Sequence, residues 1–278
     1  MPEQTPMIKV DGTLKYGAKV DLFGENFDAC KDHALERAEK EGLTFIPPFD
    51  DLDVIEGQGT ISLEILEDLE YVDYVIVPVG GGGLISGIAK CIKQISPLIK
   101  VIGVEPVSAA SMKEAVKEGK VVKVKGVDTI ADGTAVAEVG KYTYEICKDY
   151  VDDWITVTDE EVLMAFINLM ERHKLVAEPS GALSLAALQK VNFYNKNVVS
   201  IISGGNIDMS FISQLINRGL YETGRITRID VELPNIPGKL QELLSDIAYT
   251  KANVVTIDQD SLRAVSYTHL TLPTILLV

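Results

Sequence analysis

Four consecutive glycines, Gly80 to Gly83, separate an apolar run ending Val77-Pro78-Val79 from a second one beginning at Leu84. No side chain packs in such a turn, so the backbone bends tightly and leaves its N–H groups free to face an anion. The apolar run from Leu84 to Ile92 reads as a helix, whose positive dipole end falls at the same spot. The chemistry this suits is the holding of a phosphate. No Gly-Lys-Ser/Thr closes the loop, and Ser86 stands where G-x-G-x-x-G read from Gly81 needs its last glycine. The loop therefore points to a phosphate other than that of ATP or NAD. A plain strand-to-helix turn with surplus glycine is the alternative reading. Ser203-Gly204-Gly205-Asn206 is a second candidate, and taken alone it reads as an ordinary turn. Glu178 before Pro179 reads alone as a first-turn helix carboxylate. His33, His173 and His269 share no motif and are assigned no chemistry.

The elements that must carry these residues alternate along the chain. Strands are expected at Ala18 to Phe23, Asp73 to Val79, Lys100 to Val104, Trp154 to Val157 and Val198 to Ile202. Helices are expected at Asn26 to Glu41, Gln58 to Leu69, Leu84 to Ile92, Ala109 to Glu118, Glu138 to Asp149 and Pro179 to Gln189. Thr158-Asp159-Glu160-Glu161 supplies an N-cap hydroxyl and first-turn carboxylates for one more. Short apolar strands alternating with helices imply an α/β fold, an open parallel sheet with helices on both faces. Near Gly224 the pattern changes. Ile229, Val231 and Leu233 alternate as in a half-buried strand. Pro237 opens an amphipathic helix with Leu240, Leu243, Leu244 and Ile247, and Asn253 to Ile257 reads as a second strand. The tail from Val265 to Val278 has no evident helix or strand logic.

With 278 residues, 46% hydrophobic and 24% charged, the chain can bury a sizeable core. A net charge of -15 argues against a nucleic-acid surface and against docking on anionic lipid. No apolar run approaches the roughly 20 residues of a membrane span, and Met1-Pro2-Glu3-Gln4-Thr5 does not read as a secretory signal. Cys30, Cys91 and Cys147 are widely spaced and odd in number. They suit buried thiols in a cytoplasmic chain better than disulfides or a zinc site.

The ordered set of Pro48-Phe49-Asp50-Asp51, Gly57-Gln58-Gly59-Thr60, the glycine loop, Gly103-Val104-Glu105-Pro106, Thr129-Ile130-Ala131-Asp132-Gly133, Ala177-Glu178-Pro179-Ser180-Gly181-Ala182 and Ser203-Gly204-Gly205-Asn206 resembles the pyridoxal-phosphate enzymes of the tryptophan-synthase-β fold. The threonine ammonia-lyases (threonine dehydratases) match best, with the serine racemases near. The resemblance runs from Pro2 to Arg263. It implies fold type II and pyridoxal 5'-phosphate as cofactor. It also implies β-elimination of threonine, or serine, to ammonia and 2-oxobutanoate, or pyruvate. The phosphate would be held by Gly80, Gly81, Gly82, Gly83 and Leu84, and the Ser203 hydroxyl would meet the pyridine nitrogen. Glu105 and the carbonyl of Ala109 would form part of a cation site, although Ser111 stands where serine racemase has an Asp. Residues 1–46 would be the remainder of a small domain and 47–223 the large cofactor-binding domain. Residues 224–263 would be part of an ACT-like regulatory domain, marked by Leu233-Pro234-Asn235-Ile236-Pro237-Gly238, with Asn235 where that family usually has Asp. Residues 264–278 are a suspect tail. A homo-oligomer and an amino-acid effector such as isoleucine or valine are implied in the same way.

Two family motifs do not occur in the sequence: Ser-Phe-Lys-x-Arg-Gly-Ala, which carries the Schiff-base lysine, and Ser-Gly-Asn-His, which clasps the substrate. Ser111-Met112-Lys113 lies after the glycine loop and reads as helix surface. No catalytic residue is therefore assigned. The chain is expected to be shortened at both ends, and the reaction is expected of a longer parent. A binding remnant without turnover and a serine-racemase-like enzyme are the alternatives.

Overall fold

The computed structural model describes residues 1–278 except 6, 26, 235, 261–266 and 277–278. In chain order the helices are α1 (Met7–Lys15), α2 (Phe27–Glu41), α3 (Leu52–Asp68), α4 (Gly83–Ile95), α5 (Ser111–Glu118), α6 (Lys141–Tyr150), α7 (Asp159–Asn168), α8 (Leu183–Leu188), α9 (Met209–Glu222) and α10 (Lys239–Tyr249). The strands are β1 (Tyr74–Pro78), β2 (Lys100–Pro106), β3 (Asp153–Val157), β4 (Val198–Ser200), β5 (Ile226–Pro234), β6 (Asn253–Val254), β7 (Asp258–Asp260) and β8 (Tyr267–Leu276).

Strands β3-β2-β1-β4 form one parallel sheet, in that order. Its strands carry apolar residues on both faces, because helices cover both. Val75, Val77 and Val79 meet Ile85, Ile88 and Ile92 of α4 together with Met112, Tyr144 and Cys147. Ile76, between them in the alternation, turns to the other face and joins Val104, Val162, Ala165, Leu183 and Ala186. Ile76, Ile85, Ile88 and Ile92 are fully buried, and each such side chain contributes about 1.5–3 kcal/mol relative to exposure.

Several elements differ from the sequence expectation. Helix α3 begins six residues before Gln58, because the Asp51 carboxylate accepts the N–H groups of Asp53 and Val54 and caps it. Gly57 and Gly59 thus lie inside the helix. Gly59 lets α3 approach α4: a β-carbon there would be 3.1 Å from the Gly87 carbonyl oxygen, and one on Gly87 would be 2.6 Å from the Gly59 nitrogen. Ala18 to Phe23 is not a strand. Two bonds tie it to Met1, from the Met1 amine to the Asp21 carbonyl and from the Phe23 N–H to the Met1 carbonyl, a third joins Glu3 to the following Gly24, and these do not amount to a ladder. Helix α1 was not anticipated, and neither was α9. The latter buries Ile212, Leu215 and Gly219 at helical spacing against α7, behind an Asp208 cap.

The C-terminal part forms a second sheet in the order β5-β8-β6, with β7 also pairing β8. The expected strand–helix–strand is present, but β6 ends at Val254 and does not pair with β5. The tail, expected to lack strand logic, supplies β8 between them, antiparallel to both. Its register against β5 shifts between Thr227 and Ile229, opposite Pro273, a residue with no N–H to give to a ladder. Asn235 and residues 264–266 and 277–278 lie outside the described residues.

Candidate functional site

The glycine loop leaves the C-terminal end of β1 and enters α4 with Gly82 as its cap, at φ 93°. That φ is in the left-handed region, where glycine carries no penalty. Each glycine is also required by a neighbour. A β-carbon on Gly80 would be 3.0 Å from the Thr134 Cα, one on Gly82 3.0 Å from the Thr143 Cβ, and one on Gly83 2.9 Å from the Phe49 Cβ. On Gly81 it would enter the Phe49 ring. The first helical bond is from the Ser86 N–H to the Gly82 carbonyl. Among the described residues, the N–H groups from Gly80 to Ile85 have no acceptor. A run of free N–H groups at a helix N-terminus is fitted to an anion with several oxygens.

Two long-range attachments hold the loop. Asp50, next to Phe49, accepts the N–H groups of Lys141, Tyr142 and Thr143 and so caps α6. From α6 the buried Thr143 hydroxyl donates to the Gly81 carbonyl at 2.8 Å. Phe49 and Asp50 have no role legible in the sequence, and Thr143 belongs to no motif there. No local pattern links positions about ninety residues apart.

The other expected residues converge on the same sheet edge. A β-carbon on Gly80 would be 3.4 Å from the Gly133 carbonyl, and one on Gly133 would be 3.0 Å from the Ser180 Oγ and 3.2 Å from the Glu178 Oε1. The 129–134 loop therefore bridges the glycine loop and the Glu178–Ser180 turn. Glu178 donates its N–H to the Gly204 carbonyl, and its side chain covers Gly204. Burial and the nearby Asp132 charge raise its carboxyl above the ordinary range. The Ser180 Oγ is buried and has no partner among the described residues. Strand β4 ends at Ser200, two residues short of the expected Ile202, and Ser203 lies three residues beyond it. It sits against Gly181, where a β-carbon would come 2.6 Å from the Ser203 carbonyl carbon.

Glu105 is fully buried near the end of β2. Its Oε1 accepts the Met112 N–H and its Oε2 the Lys113 N–H, both at 2.8 Å, so the carboxylate caps α5. Burial pushes this carboxyl up to about 7, against the pull of those two bonds. Ala109 is buried in the turn between Glu105 and α5. Among the described residues no group of three His, Cys, Asp or Glu side chains is placed to hold a metal ion. Cys147 is buried beside Ser86, and burial pushes its thiol up to about 12, which leaves it inert as a nucleophile.

The parts that meet at this edge are a free-amide loop, a hydroxyl-bearing turn and a half-buried carboxyl. They lie at the carboxyl ends of parallel strands, the edge at which open α/β sheets commonly bind ligands.

The chain is 44% identical over 262 residues to L-threonine ammonia-lyase of Geobacter sulfurreducens, which covers 94% of this chain and 65% of that protein. The chain thus spans 65% of the length of that curated relative. Threonine deaminase isoform 2 of Solanum lycopersicum superposes with a TM-score of 0.74 at 44% identity, over 78% of this chain and 61% of that one. Serine racemase of Dictyostelium discoideum superposes with a TM-score of 0.69 at 39% identity, over 75% and 68%. Residues 1–204 match the sequence family described as pyridoxal-phosphate dependent enzyme. The parallel sheet, its glycine loop and these matches agree: the chain belongs to the family of pyridoxal-phosphate dependent enzymes.

Proposed function

We propose that the intact protein is a threonine ammonia-lyase. It removes the α-proton of threonine and expels the β-hydroxyl as water, and the released enamine hydrolyses to 2-oxobutanoate and ammonia. The observation that carries the reading is the run of N–H groups from Gly80 to Ile85 with no acceptor among the described residues. It fits a single terminal phosphate without a metal or a lysine. Bound there, pyridoxal phosphate supplies an electron sink for the pair left on the α-carbon.

The chain's own residues would act as follows. The N–H groups of Gly80, Gly81, Gly82, Gly83 and Leu84 hold the phosphate. Phe49 closes over the loop and keeps water from it. The Ser203 hydroxyl, on a residue whose backbone packs against Gly181, would offer the ring nitrogen a neutral partner. A neutral partner would leave the nitrogen weakly protonated, which would favour elimination over longer-lived carbanion chemistry. The lysine that moves the proton is not assigned to any residue of this chain. Glu105 and the Ala109 carbonyl are the pair the resemblance offers to a cation. The two N–H bonds on Glu105 compete with that role, and a shift of the melting temperature by magnesium, absent with chelator, tests it.

Residues 224–263 are proposed as an ACT-like unit that takes an amino-acid effector. A homo-oligomer and a cytoplasmic location belong to the same proposal, and light scattering and cell fractionation test them. Among the described residues no helix is long and apolar enough to cross a membrane.

The test is to incubate the intact protein with L-threonine and with L-serine, then measure 2-oxo acid and D-serine. Formation of 2-oxobutanoate supports the reading. D-Serine as the main product turns the assignment to a racemase, the reading favoured by the Dictyostelium structure. Retained cofactor with no product leaves binding alone.

A further inference from the structure

We propose that Thr143 is a positioning residue of the phosphate loop: its hydroxyl, by donating to the Gly81 carbonyl, turns the Gly82 N–H toward the bound phosphate. The inference rests on the phosphate reading above and adds a residue on α6, outside the loop, to it.

The argument begins with the peptide unit between Gly81 and Gly82. The chain has no cis peptide bond among the described residues, so this unit is trans. In a planar trans peptide the carbonyl and the following N–H point in opposite directions. The Gly81 carbonyl accepts from the Thr143 Oγ1 at 2.8 Å and therefore faces α6. The Gly82 N–H must then face away from α6, and it has no acceptor among the described residues.

Nothing in the loop itself fixes that orientation. With glycine on both sides, the peptide can flip at little steric cost, since either residue tolerates φ of either sign. A flipped unit would present its carbonyl oxygen to the anion and repel it. The Thr143 hydroxyl selects one of the two orientations, and it is well placed to do so. Thr143 is fully buried. Its own N–H is held by the Asp50 carboxylate at 3.2 Å. Its hydroxyl also lies 3.2 Å from the Gly140 carbonyl, the ordinary preceding-turn contact of a helical threonine. Any β-carbon on Gly82 would lie 3.2 Å from the Thr143 Oγ1, so the two are in direct apposition.

The experiment compares the affinity of pyridoxal phosphate with that of pyridoxal, which lacks the phosphate, in the intact protein and its Thr143→Val and Thr143→Ser variants. Valine keeps the shape and removes the donor; serine keeps the donor. Thr143→Val is expected to weaken pyridoxal phosphate binding about tenfold, the value of one buried hydrogen bond, and to leave pyridoxal unchanged. Thr143→Ser is expected to restore the difference. A folded Thr143→Val that keeps the wild-type ratio overturns the proposal, as does a folded Thr143→Ser that has lost it. Should the valine variant fail to fold, Thr143→Ala is read by the same ratio. Equal affinity of the wild-type protein for the two compounds would refute the phosphate reading itself, and so is distinguishable from failure of Thr143 alone.

Discussion

Phe49 closes directly over Gly81, so that a β-carbon at residue 81 would lie 2.5 Å from the Cε1 and Cγ atoms of the ring. The pair joins the segment before α3 to the loop after β1. Gly81→Ala must move either the ring or the loop, and overpacking of this kind costs about 1–3 kcal/mol. In a Phe49→Ala background the obstruction is gone, and the same substitution is expected to cost much less. A double-mutant cycle by urea denaturation should show coupling of about 1 kcal/mol or more. Additive effects would mean the ring does not constrain the loop.

Two glycines should respond to alanine with opposite sign. At Gly181 the new β-carbon meets the Ser203 backbone, 2.6 Å from its carbonyl carbon, and backbone cannot rotate away. Gly181→Ala is expected to lower stability by more than about 3 kcal/mol and to displace Ser203. Gly57 lies exposed in α3, and no atom of the described residues comes within 4 Å of a β-carbon there beyond its own helix turn. Gly57→Ala should raise stability by about 0.5–1 kcal/mol, because glycine is a poor helix former. Thermal melts of the two variants check both signs.

Asp50 satisfies three N–H groups of α6 with one carboxylate. Asp50→Ala leaves all three unpaired and is expected to destabilise the protein by about 1–2 kcal/mol, as loss of an N-cap does. Because α6 carries Thr143, cofactor affinity should fall as well. Asp50→Asn keeps an acceptor oxygen and should recover part of both. Loss of stability with unchanged cofactor affinity would separate α6 from the loop.

Asp152 gives a pH-dependent test. Partial burial raises its carboxyl, but the bonds from Lys100, Lys93 and the Val101 N–H outweigh this and hold it below the ordinary 3.8. A carboxyl lowered by folding adds stability above its unfolded value, and that stability is lost as pH falls through the lower folded value. At pH 7, Asp152→Asn should be less stable than wild type by about 1 kcal/mol, since solvent screens the Lys100 partner. The difference should shrink as pH drops below about 4 and with added salt. A difference constant from pH 7 to pH 3 would count against the assignment.

Features whose partners lie within a few residues of one another were legible in the sequence. Thr158 caps its helix as read, and Glu161, one of the first-turn carboxylates, completes a capping box with it, the hydroxyl and carboxylate each satisfying the other's backbone. Strands β1, β2 and β3 lie where the apolar runs placed them, since a strand buried on both faces needs a continuous apolar run. The glycine loop was recognisable because four glycines in a row serve no purpose in a packed element. Where a partner is distant, local pattern was silent or misleading. Ala18 to Phe23 alternates as a strand does, yet a strand exists only with a ladder beside it. The segment 267–276 has no strand pattern of its own and still pairs with β5 and β6.

The sequence by itself determined the parallel α/β architecture and the presence of a glycine-rich turn between strand and helix, because periodicity and glycine content act through the backbone alone. Only the tertiary structure decided what fixes that turn. It brought Phe49, Asp50 and Thr143 to Gly81, drew Gly133, Glu178, Ser180 and Gly204 together at the same edge, and gave the Glu105 carboxylate to α5. Each of these is a match of shape or hydrogen-bonding capacity between chain segments that meet only when the sheet is assembled.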